Sequence, residues 1–531
     1  MLNLLLFSCA RVGAPNGGTR DSLAPKFLGS NIDTTRLNVS RTVKELRLDF
    51  DEYVMLKDFN KNFNVSPPIK KIKKVIPSNL ANKYVLIQWE DTLQANTTYN
   101  FNFGNAIVDN NESNPLPYFN FAFSTGDKID DLFVSGTVKD AMTLIKENQT
   151  AKDNKMVVGL YKAGENLDYK QKPDYITKVD EENYFELNFL PKGEFVIIAF
   201  DDENQNSVYD AGKEKVSFLK EKITLDSTSV RGLKLKLYPS KKVVKYKESK
   251  AINGGLLMTF EGNPETVEVK SLSEELKDFK VTHAKRSDSV NIWFDAEKSN
   301  LGGTVSKQLK LSYFTPTISD TISVSYKAVK DEFKLSNEAG NLIAPENNFV
   351  INTSLPIENL NTSSWKLESD SIAQDFTAKI SEKNPFKILV NSSFKPTKKY
   401  VLTIPKETVS SYYSSNDKSF QFQFEIDKPE NYGSFTAVIK NKPTAKFWVE
   451  LTNEKGEILY SQFTNASEVS FKNLKPATYI ARIRVDNNGN GFWDEADFAQ
   501  NIAAEDVYIF EKEINVRPLW EIKEDWELTN R

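Results

Sequence analysis

The sequence has 531 residues, a length that predicts several domains, and its 69 basic and 73 acidic residues leave a net charge of only −4. This balance, with no basic stripe interleaved with aromatic residues, argues against general nucleic-acid binding. One Cys and one His all but exclude a zinc site made of protein ligands. Histidine-dependent catalysis would need His283, which lies in an alternating stretch typical of a strand edge. We therefore predict that the protein is not an enzyme.

The N-terminus reads MLNLLLFSCARVGAPNGG, in which an apolar residue, a spacer and a small residue precede Cys9. This order is that of a lipobox, the signal for cleavage before a Cys that receives diacylglycerol. A Cys placed by chance in an apolar N-terminus is the alternative, but Cys9 is the only Cys of the chain. We predict a lipoprotein signal peptide at 1–9, a flexible tether at 10–24 and a diacylglycerol anchor on Cys9. Because only eight residues precede Cys9 and none is basic, we expect the signal peptide to be truncated.

From residue 25 onward, apolar and polar residues alternate with period two. Clear examples are VKELRLDFDEYV at 43–54, KYVLIQW at 83–89 and TYNFNFG at 98–104. Asn, Pro and Gly separate these runs, as is typical of turns, and no long segment repeats with the helical period. The sequence therefore predicts an all-β protein built of tandem β-sandwiches.

Two internal repeats indicate how these sandwiches are ordered. With a shift of 301 positions, apolar residues agree without a gap over more than seventy residues. The aligned pairs include Leu48 with Phe349, Leu93 with Phe394, Tyr99 with Tyr400, Phe121 with Phe422, and Phe123 with Phe424. With a shift of 284 positions, residues 185–210 align with residues 469–494. Strand alternation alone would reproduce part of the first match, but not its length.

The second repeat resembles the transthyretin-like, or carboxypeptidase-regulatory-like, sandwich. Both copies read as a strand, an L-x-P or L-K-P turn, a second strand, and a loop rich in Asp and Asn. The repeats predict a duplicated pair of an Ig-like and a transthyretin-like sandwich around a middle β-domain. The predicted domains are an Ig-like domain at 25–127, a transthyretin-like sandwich at 132–240, a middle Ig-like domain at 241–344, an Ig-like domain at 345–428, a second transthyretin-like sandwich at 432–519, and a C-terminal tail at 520–531.

The loop of the second transthyretin-like copy, VDNNGNGFWDEAD, has the ligand spacing of an EF-hand-type calcium loop. Gly491 stands at position 6, where such loops turn tightly, and Phe492 would offer its carbonyl at position 7. Hard oxygen donors of this kind suit calcium. The side-chain ligands at positions 1, 3, 5, 9 and 12 would be Asp486, Asn488, Asn490, Asp494 and Asp497.

The first copy repeats this spacing less completely. Ser207 replaces the Gly, and Lys213 stands at position 12 with Glu214 beside it, so we expect weaker binding there. An Asx-rich turn that needs no metal is the alternative for either loop, but a turn does not require the same spacing twice. The predicted role of calcium is structural. The candidate ligands of the first loop are Asp202, Asn204, Asn206, the carbonyl of Val208, and Asp210.

Three stretches resemble a family of bacterial outer-membrane lipoproteins with Ig-like domains. They are CARVGAPNGGTRDSLAP from residue 9, LRLDFDEYVMLKDFNKNFNVSPP from residue 46, and TLQANTTYNFNFGNAIVDNNESNP leading to FAFSTG at 121–126. The last two are similar to S-layer-type Ig-like domains. The resemblance implies a protein anchored in the outer membrane and facing the cell exterior. Its implied partners are an outer-membrane β-barrel and other envelope proteins, in an assembly or export machine.

These observations predict a non-catalytic scaffold lipoprotein. A glycan-binding or adhesive surface protein is the alternative, and it would need a cluster of solvent-facing aromatic residues. The strand patterns place Trp89, Trp293, Trp365 and Trp448 in cores instead. Trp520 and Trp526 belong either to an interaction segment or to a closing strand. An enzyme is the third class, for which no segment of sufficient length remains.

Overall fold

The computed structural model of the protein describes residues 21–144, 155–164, 168–329, 332–338 and 340–528. Cys9 and the first part of the predicted tether lie outside these residues. Strands make up 50% of the chain and helices 1%, so the predicted class of tandem Ig-like β-sandwiches is confirmed. Within the described ranges, no helix is long and apolar enough to cross a membrane.

Apolar side chains of the described residues form five hydrophobic cores in chain order. Each core follows from strand alternation, because every second side chain of a strand points to the same face. In Glu45–Leu56, for example, Leu46, Leu48 and Phe50 are buried while their neighbours are more exposed. Contacts group the described residues into two compact units. One draws on Met1–Lys139, Thr150–Asp210 and Val216–Leu237, and the other on Asp140–Gln149, Ala211–Lys215 and Tyr238–Arg531.

The first sandwich closes around a core rich in Phe. One sheet has the order β1-β2-β5-β4 with β7 also on β2, and the other has the order β3-β6-β8. Asp109 receives four backbone N–H groups of the following turn, which explains its burial. The elements of the first sandwich are β1 (Phe27–Ser30), β2 (Glu45–Leu56), α1 (Phe59–Asn62), β3 (Asn64–Ser66), β4 (Ile72–Ile76), β5 (Asn82–Trp89), β6 (Thr98–Gly104), β7 (Ile107–Asp109) and β8 (Phe119–Ser124).

The second sandwich pairs the sheet β11-β10-β13-β14, with β15 also on β13, with the sheet β12-β9-β16. Gly136 is required here, because an added Cβ would lie 2.2 Å from the carbonyl oxygen of Leu233. Its strands are β9 (Leu132–Asp140), β10 (Met156–Lys162), β11 (Tyr175–Lys178), β12 (Tyr184–Leu190), β13 (Gly193–Asp201), β14 (Val216–Phe218), β15 (Ile223–Leu225) and β16 (Val230–Leu237).

The middle sandwich has two smaller sheets, with orders β17-β18-β21-β20 and β19-β22-β23. His283 ends β20, and its Nε2 bonds to the carbonyl oxygen of Ser287 at 3.0 Å, which places it in a turn at a strand end. The strands are β17 (Lys245–Ile252), β18 (Gly255–Glu261), β19 (Glu268–Ser271), β20 (Lys280–His283), β21 (Ser289–Trp293), β22 (Lys307–Phe314) and β23 (Ser319–Tyr326).

The fourth sandwich has the sheets β24-β26-β31-β30 and β25-β34-β32-β28-β29, with β27-β33 as a separate pair. Its strands are β24 (Leu335–Asn337), β25 (Leu342–Ile343), β26 (Phe349–Thr353), β27 (Asn359–Leu360), β28 (Lys366–Ser369), β29 (Ile372–Ala373), β30 (Phe376–Ser381), β31 (Asn384–Ser392), β32 (Lys399–Ile404), β33 (Val409–Ser410) and β34 (Phe420–Ile426). A 3-10 turn at Pro429–Asn431 leads into the last sandwich.

The fifth sandwich has the sheets β37-β36-β39-β40, with β41 also on β39, and β38-β35-β42. These orders repeat those of the second sandwich, as the 284-residue repeat predicts. The strands are β35 (Gly433–Lys440), β36 (Phe447–Thr452), β37 (Ile458–Thr464), β38 (Glu468–Leu474), β39 (Ala477–Val485), β40 (Val507–Ile509), β41 (Ile514–Val516) and β42 (Glu521–Glu527).

The segment predicted as a C-terminal tail differs from that description. Strand β42 lies parallel to β35, from Ser434 opposite Glu521 to Lys440 opposite Glu527. Trp526 is 5% exposed and packs in the core of the fifth sandwich. Trp526 therefore belongs to a closing strand, and the sandwich extends beyond residue 519.

The 301-residue repeat is visible as a repeated hydrogen bond. The Tyr99 hydroxyl accepts the backbone N–H of Gln94 at 2.8 Å, and the Tyr400 hydroxyl accepts that of Lys395 at 2.8 Å. Each tyrosine ring also stacks on the aligned Phe of the neighbouring strand. The first and fourth sandwiches therefore share one local design.

The tryptophans predicted in cores divide into two groups. Trp89, Trp293 and Trp365 are at most 5% exposed, which confirms their placement. Trp448 is only partly buried, and its ring stacks at 4.4 Å on Phe463, which is 44% exposed. The prediction is wrong for Trp448, because strand alternation does not tell which of the two faces is covered.

Candidate cation-binding loops

Both Asx-rich loops follow an inner strand of the larger sheet of their sandwich. The second loop begins directly after β39, and the first directly after β13. Each predicted ligand set begins with an Asp. These two residues, Asp486 and Asp202, are 4% and 5% exposed. A carboxylate buried to this degree needs several hydrogen bonds. The loop backbone supplies them.

In the second loop, the carboxylate of Asp486 organises the turn. Its Oδ1 accepts the N–H of Asn490 at 3.0 Å, and its Oδ2 accepts the N–H of Gly491 at 2.9 Å. The side-chain oxygen of Asn488 also accepts the Asn490 N–H, and that of Asn490 accepts the Phe492 N–H. Oxygens at positions 1, 3 and 5 therefore accept backbone N–H groups within the loop, as they also do in an Asx-rich turn without a metal.

Asp494 is the point at which the loop's side-chain donors meet. Its Oδ2 accepts the amide Nδ2 groups of Asn488 at 2.5 Å and Asn490 at 2.8 Å. Burial opposes ionisation of Asp494, but these two amides and the nearby Arg286 outweigh it, so that the pKa of Asp494 is lowered. The two neutral amides thus share one oxygen of the Asp494 carboxylate, Oδ2.

The first loop repeats this hydrogen-bond pattern. Asp202 accepts the N–H groups of Asn206 and Ser207, both at 3.0 Å. Asn204 Nδ2 donates to Asp210 Oδ2 at 2.5 Å, and the side-chain oxygen of Asn206 accepts the N–H of Val208. Both loops are thus the same structure, although they share few residues beyond the Asp and Asn positions.

Two backbone positions separate the loops energetically. Gly489 and Gly491 have φ angles of 72° and 82°, in the left-handed region that glycine adopts without a Cβ penalty. The first loop holds Gln205 at 59° and Ser207 at 62° in the equivalent positions. Side chains in this region cost on the order of 1 kcal/mol each, so the first loop is the more strained of the two.

Asp497, the predicted ligand at position 12, makes a different contact. The Asp497 carboxylate accepts the backbone N–H of Gln500 at 3.1 Å and caps a turn of its own. Instead, Glu505, which is 7% exposed, accepts the N–H groups of Asn488 at 3.1 Å and Asp494 at 2.9 Å. Burial raises the pKa of Glu505, and the charge of Asp494 adds to this effect. Spacing alone does not reveal Glu505, because it returns to the loop from the segment just before β40.

The second loop also contacts the middle sandwich. Arg286 Nη1 donates to Asp494 Oδ1 at 2.7 Å, and Arg286 Nε donates to Glu265 at 2.5 Å. The Arg286 guanidinium lies 4.7 Å from the centre of the Phe492 ring. Beside it, Trp493 packs near Tyr238, and Ala496 exchanges backbone hydrogen bonds with the segment 239–241. The loop is therefore part of a joint between two sandwiches of the same compact unit.

No group of three or more Asp, Glu, His or Cys side chains that could hold a metal occurs among the residues that the structure describes. The predicted donors of the second loop are carboxylate, amide and carbonyl oxygens. All of these are oxygen donors of the kind that calcium prefers. A bound ion would have to replace the hydrogen bonds from Asn488 and Asn490 to Asp494.

Comparison with known proteins identifies one part of the chain. Residues 21–125 match the family model described as a bacterial Ig-like domain. No curated protein matches the sequence. The first sandwich is thus similar to bacterial Ig-like domains, within a chain of tandem Ig-like β-sandwiches.

The solved structures that match the chain are distant from it. Domains 1–6 of the surface layer protein SbsC are 12% identical, with 93% of this chain and 67% of that chain covered and a TM-score of 0.16. BcpA, the major pilin subunit of Bacillus cereus, is 11% identical, with 75% and 99% covered and a TM-score of 0.14. The Bacillus anthracis TIE protein is 11% identical, with 97% and 76% covered and a TM-score of 0.13.

Proposed function

We propose that the protein is a non-catalytic scaffold of the bacterial envelope, anchored in the outer membrane by diacylglycerol on Cys9 and facing the exterior. The observation that carries this proposal is that sandwiches within each compact unit are joined by specific polar contacts. Such joints hold domains in a defined geometry, as a scaffold requires. The proposed partners are an outer-membrane β-barrel and other envelope proteins, and the role is that of an accessory subunit in their assembly or export.

Each unit supplies an example of these joints. In one unit, the Ile176 N–H donates to Ser66 Oγ at 3.3 Å, and Thr98 Oγ1 donates to Asp130 at 2.9 Å. In the other unit, Arg286 of the middle sandwich bonds to Asp494 of the fifth at 2.7 Å. A charge-assisted bond between partly buried groups contributes more than an exposed pair.

The test of the scaffold is affinity purification of the tagged full chain from membranes under mild detergent, followed by mass spectrometry. The proposal expects near-stoichiometric recovery of an outer-membrane β-barrel with other envelope subunits. A Cys9→Ser variant serves as the control and should lose both the membrane fraction and the partners. Recovery of the wild-type chain without companions would refute the scaffold.

We further propose that calcium stabilises the second loop through Asp486, Asn488, Asn490 and Asp494. Glu505 would serve as the remaining carboxylate in place of Asp497, because its side chain already reaches the loop backbone. When bound, the ion would supply positive charge that orders the loop. The first loop, with the same hydrogen-bond pattern, would bind more weakly because of its backbone strain.

The calcium proposal is tested by thermal unfolding in EDTA and across a calcium titration. A ligand that binds the folded state alone raises the unfolding temperature with concentration. The wild type should show this rise, and Glu505→Gln should reduce it more than Asp497→Asn. An unfolding temperature that calcium does not change would refute the site. Equal effects of the two variants would refute the assignment of Glu505.

A glycan-binding surface is the second candidate, and one observation favours it. Trp448 and Phe463 form a stacked pair on a sheet face, with Lys446 and Arg484 each within 6 Å of an aromatic ring. Partly exposed aromatic rings beside polar groups suit stacking against sugar rings. A glycan array probed with the full chain and with Trp448→Ala tests this candidate, which predicts binding that the variant loses.

A further inference from the structure

Strand β37 differs in its chemistry from most of the other long edge strands. It ends the order β37-β36-β39-β40, so one side of its backbone has no neighbouring strand in the described part of the chain. Its sequence, ILYSQFT, contains no charged residue. Ile458, Leu459 and Phe463 are 45%, 48% and 44% exposed. An exposed, uncharged and apolar edge is a template for another strand.

Most other long edges of the described sandwiches carry the charges that prevent such pairing. Strands β17, β23, β30 and β42, for example, read KYKESKAI, SDTISVSY, FTAKIS and EIKEDWE. Strand β8, FNFAFS, is uncharged but largely buried. Charged side chains are a usual protection of exposed edges. β37 combines exposure with the lack of that protection.

The equivalent edge of the second sandwich already serves as an interface. Strand β11 occupies the place of β37 in the order β11-β10-β13-β14. Tyr175, Ile176 and Thr177 are at most 8% exposed, and the Ile176 N–H donates to Ser66 Oγ of the first sandwich. The duplicated module therefore uses this edge for docking in one copy and leaves it exposed in the other.

We infer that β37 pairs antiparallel with β37 of a second copy of this chain. Pairing around Ser461 would place Leu459 opposite Phe463 of the second copy, and Tyr460 opposite Gln462. No like charges would face each other, because the strand has none. Glu457, just before the strand, would lie opposite Asn465. Apolar and uncharged cross-strand pairs of this kind stabilise antiparallel sheets.

The proposed interface is small, which determines how it must be measured. A single seven-residue strand on each side buries less than the roughly 1,200 Å² typical of stable complexes. We therefore expect a dimer that forms with increasing concentration rather than a permanent one. Light scattering after size exclusion, over a wide range of concentrations of the full chain, should show the average mass rising towards twice the monomer.

Cysteine cross-linking tests the register. Antiparallel partners lie about 4.5–5.5 Å apart between Cα atoms, within the range of a disulfide. Ser461→Cys should therefore form a dimer under mild oxidation, because residue 461 opposes itself. Thr464→Cys is the matched control, since the two thiols would lie about 20 Å apart at the strand rise of about 3.4 Å per residue. Both variants carry Cys9→Ser, which removes the only native thiol.

A charge on the edge supplies the second test. Leu459→Lys should abolish the concentration-dependent dimer, because each copy would then place a lysine in the paired strands, two residues from Ser461. Ile502→Lys, which changes a 50% exposed residue of the same sandwich outside β37, should leave the dimer unchanged. A monomer at every concentration, or equal cross-linking of residues 461 and 464, would overturn the proposal. Loss of the dimer in both lysine variants would place the interface elsewhere and also overturn it.

Discussion

The buried ion cluster of the fifth sandwich allows a quantitative prediction. Glu450 is 1% exposed and lies opposite Arg482 in the sheet, where its Oε2 accepts Arg482 Nε at 2.9 Å and Nη2 at 2.7 Å. Arg484 bonds to the same carboxylate. Glu450→Met would leave two guanidinium groups without their shared carboxylate. Breaking a buried pair in this way costs about 3–5 kcal/mol.

The second sandwich has apolar residues at the positions equivalent to this ion cluster. Gly159 and Ile198 oppose each other at the register position of Glu450 and Arg482, and Phe200 takes the position of Arg484. The triple variant Glu450→Met, Arg482→Ile and Arg484→Phe should therefore recover most of the stability lost in the single variant. Replacing a buried ion group by apolar side chains of similar volume is often neutral.

Hydrogen exchange of the β36 and β39 amides measures the local free energy of opening, which is suited to a chain of several domains. At about 1.4 kcal/mol per tenfold change, Glu450→Met should accelerate exchange by about a hundredfold to several thousandfold. Glu468→Met, which removes an exposed ion pair with Lys523 at 3.2 Å, should change it little. The reasoning is refuted if Glu450→Met matches this control, or if the triple variant is no more stable than Glu450→Met.

Three further predictions concern the loops, the repeated tyrosines and a partly buried lysine. Ser207→Gly should stabilise the second sandwich by roughly 0.5–1 kcal/mol, and Gly491→Ala should destabilise the fifth by about 1 kcal/mol, because both positions have left-handed φ angles. A destabilising Ser207→Gly or a stabilising Gly491→Ala in urea unfolding would contradict this. Tyr99→Phe and Tyr400→Phe should each cost about 1 kcal/mol by leaving a backbone N–H unpaired, and unequal losses would argue against a shared design. Burial, followed by the charge of Lys61, lowers the pKa of Lys178 from 10.5 to about 8, so the cost of charging Lys178 is fully present below pH 8 and disappears as the pH rises towards 10.5. The stability of the first unit should therefore increase from pH 8 to pH 10.5. Lys178→Met should raise the stability at pH 7 and make the increase over this window smaller. If urea unfolding shows the same pH dependence in the variant as in the wild type, the role of Lys178 is refuted.

The alternation of the sequence was sufficient to predict the strands and most of the cores. Leu46, Leu48 and Phe50 illustrate why, since period two marks one face of a strand irrespective of its neighbours. Trp526 was harder to place, because EIKEDWE is so rich in charge that its alternation is hidden. Its partner β35 lies more than eighty residues away, and a parallel pairing leaves no turn signal between the two strands.

The candidate loops show the same division between local and tertiary information. The Asp and Asn side chains of the second loop accept backbone N–H groups a few residues away, because Asx turns depend on neighbouring residues. The roles of Glu505 and Arg286 depend on where other strands arrive, and no local pattern encodes that. Asp497 fits the ligand spacing, yet a closer backbone N–H, that of Gln500, competes for its carboxylate.

The parallel pairing of β35 with β42 has a mechanical consequence. The chain enters the fifth sandwich at the start of β35 and leaves it at the end of β42, at opposite ends of the same ladder. Tension along the chain would therefore slide the two strands past each other, loading all seven paired positions together instead of opening them one at a time. A sandwich pulled in this geometry resists through the combined strength of the ladder.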